Sequence, residues 1–158
     1  MEEITRLGHI YKQVLGKDFN GRSFDDRLKL QKIVYLLENM GVSIGDYNYR
    51  WYKHGPYSQT LQDEILDNKT IINPSDLYLS DYAKEKIKDL NKTLSSLNDP
   101  AYDLEQWLEC LASLLFIKRN EKVSNENELI NILIDRKPHL DKRAANYRAN
   151  DTIDLLFC

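Results

Sequence analysis

Apolar positions fall into helical stripes over most of the chain. Ile4, Leu7, Tyr11 and Val14 recur at three- and four-residue spacing, and Gly16 follows as a stop signal. Phe24, Leu28, Ile33, Leu36, Leu37 and Met40 build a second helix, ended by Gly41. Ser23 with Asp26 three positions on resembles a capping box in front of it. Arg27, Lys29, Gln31 and Lys32 are its polar residues, while the run from Ile33 to Leu37 predicts a largely buried helix. From Asp46 to Lys53 the period changes to two: Tyr47, Tyr49 and Trp51 alternate with Asn48, Arg50 and Tyr52, a strand signal that breaks at Gly55-Pro56.

Leu61, Ile65 and Leu66 then mark a short helix. It is capped either by Gly55 with Pro56 in its first turn or by Ser58, and the sequence leaves both open. Leu77-Tyr78-Leu79 is a second short strand candidate. Ser80 caps a helix with the face Ala83, Ile87, Leu90, Leu94 and Leu97, which Asn98-Asp99-Pro100 ends. A further helix runs from about Tyr102 to Arg119, with Leu104, Trp107, Leu108, Leu111, Leu114 and Leu115 inward. Its Lys118 and Arg119 suit the negative end of the helix dipole. Glu128 to Ile134 makes another helix, stopped by Lys137-Pro138, and Asp141 is placed to cap a last one reaching Leu155.

These elements predict a mainly α fold: a compact multi-helix domain with a small β-hairpin and a winged-helix-like order in the middle. In that order Asp46–Lys53 and Leu77–Leu79 pair as the wing, with the helix after Ser58 between them. No repeat, linker or charge block divides the chain. Residues 1–158 read as a single domain, with 1–22 as an N-terminal helical extension and 23–156 as the core. At 158 residues the chain is long enough to bury about two-thirds of its unfolded surface, so no metal or disulfide staple is required.

Composition narrows the function classes. The formal net charge of −3 excludes a strongly basic nucleic-acid coat, though not a local basic face. The start, MEEITRLGHIYKQVLG, lacks the apolar core of a signal peptide, and no stretch approaches the roughly 18 apolar residues of a membrane span. A cytoplasmic protein without membrane contact is expected. Cys110 sits in an apolar helical pattern and reads as a reduced core thiol; Cys158 has no neighbouring cysteine, and a cytosolic setting disfavours a bridge between them. Ten Tyr stand against four Phe and two Trp. Each buried tyrosine brings a hydroxyl that needs a partner.

Candidate chemistry is sparse. His9, His54 and His139 lie far apart, and none has a second ligand at helical spacing, so no metal site and no cofactor is expected. The six glycines form neither a Walker loop nor a dinucleotide fingerprint. Ser58 near His54 has no flanking oxyanion glycines, and a capping serine explains it better than a nucleophile. Asp25-Asp26 and Asp63-Glu64 read as helix N-terminal or solvated charges. No catalytic residue is expected.

Arg50-Trp51-Tyr52-Lys53-His54-Gly55-Pro56-Tyr57-Ser58 is different, because it packs aromatics and three cationic or titratable bases into one short turn region. Aromatics interleaved with Arg are the composition of protein interaction hot spots, and they also stack on bases. Between Arg22 and His54 the cations Arg22, Arg27, Lys29, Lys32, Arg50 and Lys53 outnumber the acids Asp25, Asp26, Glu38 and Asp46. That footprint is weak for nucleic acid and adequate for an acidic protein partner. In the helix from Ser58 to Asp67, Gln59 and Gln62 suit base contact, but Asp63 and Glu64 argue against phosphate contact.

Phe24-x-x-Arg27-Leu28-Lys29-Leu30-Gln31-Lys32-Ile33-Val34-Tyr35-Leu36-Leu37 resembles a "KLQKLVYLL" signature, and Trp51-Tyr52-Lys53-His54-Gly55-Pro56-Tyr57-Ser58 resembles the "Y-x-x-GPYS" segment that follows it. Together they are similar to the SocA/Panacea antitoxins and the YwgA-like phage-associated proteins. Glu105-x-Trp107-Leu108-Glu109-x-x-Ala112-Ser113, and Lys137-Pro138 before a closing helix, are similar to the YwgA-like branch. The resemblance runs from about Phe24 to Leu156; the first helix is outside it. It implies a mainly helical domain with a small β-hairpin, no catalytic set, and neutralisation of a partner toxin by binding it or by delivering it to a protease. The expected partner surface is Lys29, Lys32, Arg50, Tyr52, His54 and Tyr57, on a structural motif of Leu30, Tyr35, Trp51, Gly55, Pro56 and Ser58. The alternative is a nucleic-acid-binding transcriptional regulator on a winged-helix-like scaffold.

Overall fold

The computed structural model describes residues 4–67, 71–72 and 79–157. Helix dominates, as the stripes predict. In chain order the elements are β1 (Ile4–Thr5), α1 (Arg6–Leu15), α2 (Phe24–Asn39), β2 (Arg50–Tyr52), β3 (Gly55–Tyr57), α3 (Gln59–Leu66), β4 (Ile71–Ile72), α4 (Asp81–Ser96), α5 (Leu104–Glu121), α6 (Glu126–Arg136) and α7 (Arg143–Phe157).

Helix α5 is the centre of the fold. It packs against α2, α6, α7 and β3, and its buried residues run from Trp107 through Ile117 on more than one face. Helix α2 is its main partner and is buried almost all round, from Leu28 to Leu37. Helix α1 adds Leu7, Ile10, Tyr11 and Val14 to the same hydrophobic cluster and packs against α2 and α4. The α4 stripe is as expected: Ala83, Ile87, Leu90 and Leu94 face inward. No described helix is long and apolar enough to cross a membrane.

Side chains fix most helix starts. Ser23, Ser58, Ser80 and Asn125 each accept the backbone N–H three residues ahead, which satisfies one of the donors a helix N-terminus leaves open. Ser58, rather than Gly55-Pro56, therefore caps α3. Asp103 and Gln106 form a reciprocal capping box on α5. The last helix departs from expectation. It begins at Arg143, and Lys142, not Asp141, supplies the carbonyl that accepts from Asn146.

The β elements correct the expected wing. Strand β2 pairs antiparallel with β3, in the register Arg50↔Tyr57, Trp51↔Pro56 and Tyr52↔Gly55. The residues expected to end the strand are thus its partner. Gly55 explains this: at φ 96° it lets the chain double back after Lys53-His54. A loop this short also closes at less entropic cost than one containing a whole helix. Leu77 and Tyr78 lie outside the described residues, and Leu79 is not in a strand. The second pairing, β1 with β4, joins Ile4 to Ile72 and Thr5 to Ile71.

Candidate functional site: a charged clamp behind the hairpin

The hairpin sits over α2 and α5, and polar groups from both helices reach up to it. Gln31 of α2 makes a two-way bond with Ser58: its amide donates to the Ser58 carbonyl at 2.9 Å, and its oxygen accepts the Ser58 N–H at 3.0 Å. One residue on, Lys32 Nζ donates to the Pro56 carbonyl at 3.1 Å. From the end of α6, Lys137 Nζ donates to the Tyr52 carbonyl at 2.9 Å and also to that of Lys53. Two ammonium groups therefore hold three carbonyls of one small hairpin. Lys32 is 0% and Lys137 2% exposed. Burial pulls Lys32 down to about 8, with Glu109 and Glu105 opposing, and pulls Lys137 below the usual lysine range, again opposed by Glu109.

Glu109 of α5 is the counter-charge. It is 1% exposed, lies 3.7 Å from Lys137 Nζ, and has both carboxylate oxygens within 2.9–3.0 Å of His139 Nε2. One turn earlier, half-buried Glu105 is pushed up to about 7, first by burial and then by Glu109. Its Oε1 is buried and has no hydrogen-bond partner. His54 lies opposite at the hairpin turn, its pKa lowered by burial. Ligand atoms of His54, Glu105 and Glu109 all fall within 4.8 Å of one another. A cavity of about 530 Å³ opens beside them, lined also by Asp103 and His139.

These positions correct three expectations. Lys32 is not part of a partner surface; a two-sided buried helix draws it inward, where the Pro56 carbonyl satisfies it. His54 is half-buried and faces the acids of α5 as well as exposed Phe24, not solvent alone. The histidines are not all isolated, because folding brings His54 and His139 to Glu109 from segments far apart in sequence. The other expected partner residues stay outside: Arg50 and Tyr52 are exposed, and Tyr57 and Lys29 are half-buried. Lys29 is paired with Asp25 at 2.8 Å. The Ser58 hydroxyl accepts the Leu61 N–H, which occupies it as a cap.

Structural-motif residues lie where the hairpin meets the core. Leu30 is fully buried, and Tyr35 packs edge-on against Tyr49 at 4.8 Å. Trp51 packs against Phe116 in a tilted contact at 5.6 Å, with Lys137 Nζ 4.9 Å and the Arg136 guanidinium 5.6 Å from its ring. Gly55 faces Ser113 of α5 so closely that a Cβ built on it would stand 2.7 Å from the serine Oγ.

The outer side of the unit is aromatic. Tyr52 is 46% exposed and meets Tyr57 edge-on at 5.1 Å. Phe24 is 59% exposed, edge-on to His54 at 5.8 Å, with the Arg27 guanidinium 5.9 Å from its ring. The tyrosine hydroxyls divide accordingly. Those of Tyr47, Tyr82 and Tyr102 are bonded to Glu64, the Met40 carbonyl and Asn146, whereas Tyr52 carries its ring at the surface beside Arg50 and Lys53.

Sequence reasoning singled out the segment Arg50–Ser58 but not its pairing as a hairpin, and it gave no role to the acids beneath it. The available signal was Glu109 within the apolar run Leu108–Leu115, four residues after Glu105, a spacing that puts both carboxylates on one helix face. No protein-family model, curated protein or solved structure matches this chain.

Proposed function

We propose that this chain is a non-enzymatic protein-binding module of the antitoxin or phage-associated kind, acting in the cytoplasm, which neutralises or delivers a partner protein. The observation that carries the reading is the aromatic face of the hairpin. Tyr52 and Tyr57 lie side by side with Arg50 and Lys53 on a turn whose inner carbonyls are held by two buried lysines. Tyrosine and arginine dominate interaction hot spots, and a face ordered before binding loses less entropy on association. The basic rim suits a partner with an acidic surface. On α3, Gln59 is bonded to Asp63, so the helix presents an acid where a nucleic-acid reader needs a free amide. This favours a protein partner over a nucleic acid.

The test is co-purification from the native host with the wild-type chain and with a Tyr52→Ala/Arg50→Ala variant. The expected result is a specific partner held by the wild type and lost by the variant, with unchanged circular dichroism. That partner should arrest growth when expressed without this chain. A partner held equally by both, or one harmless alone, overturns the reading. Nucleic acid bound at low salt, with affinity falling linearly in log–log form as salt rises, would support the regulator reading instead.

A further inference from the structure

We propose that His54, Glu105 and Glu109 bind one divalent transition-metal ion, zinc in type, which ties the turn of the hairpin to α5. Three observations converge. First, the three ligand atoms lie within 4.8 Å of one another, with two of them one turn apart on the central helix of the fold. A tetrahedral zinc with ligand bonds of about 2.1 Å separates its ligands by roughly 3.4 Å. Rotations at half-buried His54 and Glu105 would close the remaining gap of up to about 1.4 Å toward buried Glu109. Second, Glu105 Oε1 is shielded from solvent and has no partner, although buried oxygens are nearly always bonded. Third, the cluster opens into a cavity of about 530 Å³, which gives an ion a way in and room for a water as fourth ligand.

The surroundings suit the assignment. His139 Nε2 contacts both oxygens of Glu109 and orients it, acting as a positioning residue. Lys32 and Lys137 also face the carboxylates, and they reduce affinity for a cation. Their ammonium groups are bonded to the hairpin carbonyls of Pro56, Tyr52 and Lys53, and the cavity beside His54, which Lys53 also lines, is the remaining approach to the acids. One imidazole with two carboxylates selects zinc or a neighbouring transition ion over magnesium, which prefers all-oxygen octahedral sites.

The experiment is calorimetric titration of the full chain, freed of metal by chelator, with Zn²⁺ and separately with Mg²⁺. Expected are one Zn²⁺ per chain, at least tenfold weaker Mg²⁺ binding, and a higher melting temperature with Zn²⁺. Glu105→Gln and His54→Gln should each weaken Zn²⁺ binding at least tenfold. His9→Ala, outside the cluster, should not change it. Circular dichroism of the metal-free variants must match the wild type. If His54→Gln does not fold, Glu105→Gln alone decides. Zinc bound equally by the folded variants, or no saturable binding by the wild type, overturns the assignment.

Discussion

Gly55→Ala tests how tightly the hairpin rests on α5. Two costs follow from the structure. At φ 96° an alanine is strained by roughly 1–2 kcal/mol. Its Cβ would also stand 2.7 Å from Ser113 Oγ, so the hairpin or the serine must shift, at about 1–3 kcal/mol for overpacking. Ser113 is fully buried in the central helix and has little freedom to move away. The sum is about 2–5 kcal/mol, or a melting point lower by roughly 5–15 °C for a domain of this size. Ser113→Ala separates the two costs. The Ser113 Oγ is buried without a hydrogen-bond partner, so this change alone should stay within about 1 kcal/mol of wild type. The double variant should recover the packing part and keep the backbone part. Urea denaturation of all four proteins gives the cycle, with an expected coupling of about 1–3 kcal/mol. A Gly55→Ala protein within about 0.5 kcal/mol of wild type, or a coupling near zero, would show that the hairpin stands off the helix and would refute the reasoning.

Lys32→Met should compare best with the wild type below pH 8, where it removes a buried charge, although the buried Pro56 carbonyl then loses its donor. The folded chain holds Lys32 at about 8 against the ordinary lysine value of 10.5, so the unfolded state binds more protons between these pH values and the wild type gains stability as pH rises through them. The stability of Lys32→Met relative to the wild type should therefore fall by about 3 kcal/mol from pH 7 to pH 10.5. A pH-independent difference in denaturation midpoints would contradict the buried charge. Cys110 is fully buried and its thiol is pushed up by burial and by Glu109. Alkylation at Cys110, followed by peptide mass spectrometry, should proceed only as fast as unfolding, and rapid modification of the native chain would contradict its packing.

Helices were legible because their signals are local. Periodicity located the interiors of α1, α2, α4 and α5 to within a residue or two, and Ser23 and Ser80 marked the starts of α2 and α4. The strands were less legible, since pairing depends on which segments meet. An alternating run from Asp46 looked like one long strand, but only Arg50–Tyr52 finds a partner, three residues ahead in the chain. The acids beneath the hairpin were hidden for a related reason. Glu105 and Glu109 acquire meaning only when His54 and His139 arrive from segments some thirty to fifty residues away. Lys32 misled because a lysine in an amphipathic pattern is ordinarily solvated. Its burial requires a carbonyl with no sequence signature, that of Pro56.

The two lysines also set how the hairpin can open. A two-stranded ribbon of three-residue strands is marginal by itself and would fray freely. Here, lifting it would strip Lys32 and Lys137 of their carbonyl partners beside a carboxylate buried in the centre of the fold. Local opening is then as costly as disturbing the core, and the hairpin joins α2 and α5 in one cooperative unit. The face that carries Arg50 and Tyr52 is thereby presented only by the folded chain, so a partner that reads it also reads whether the chain is intact.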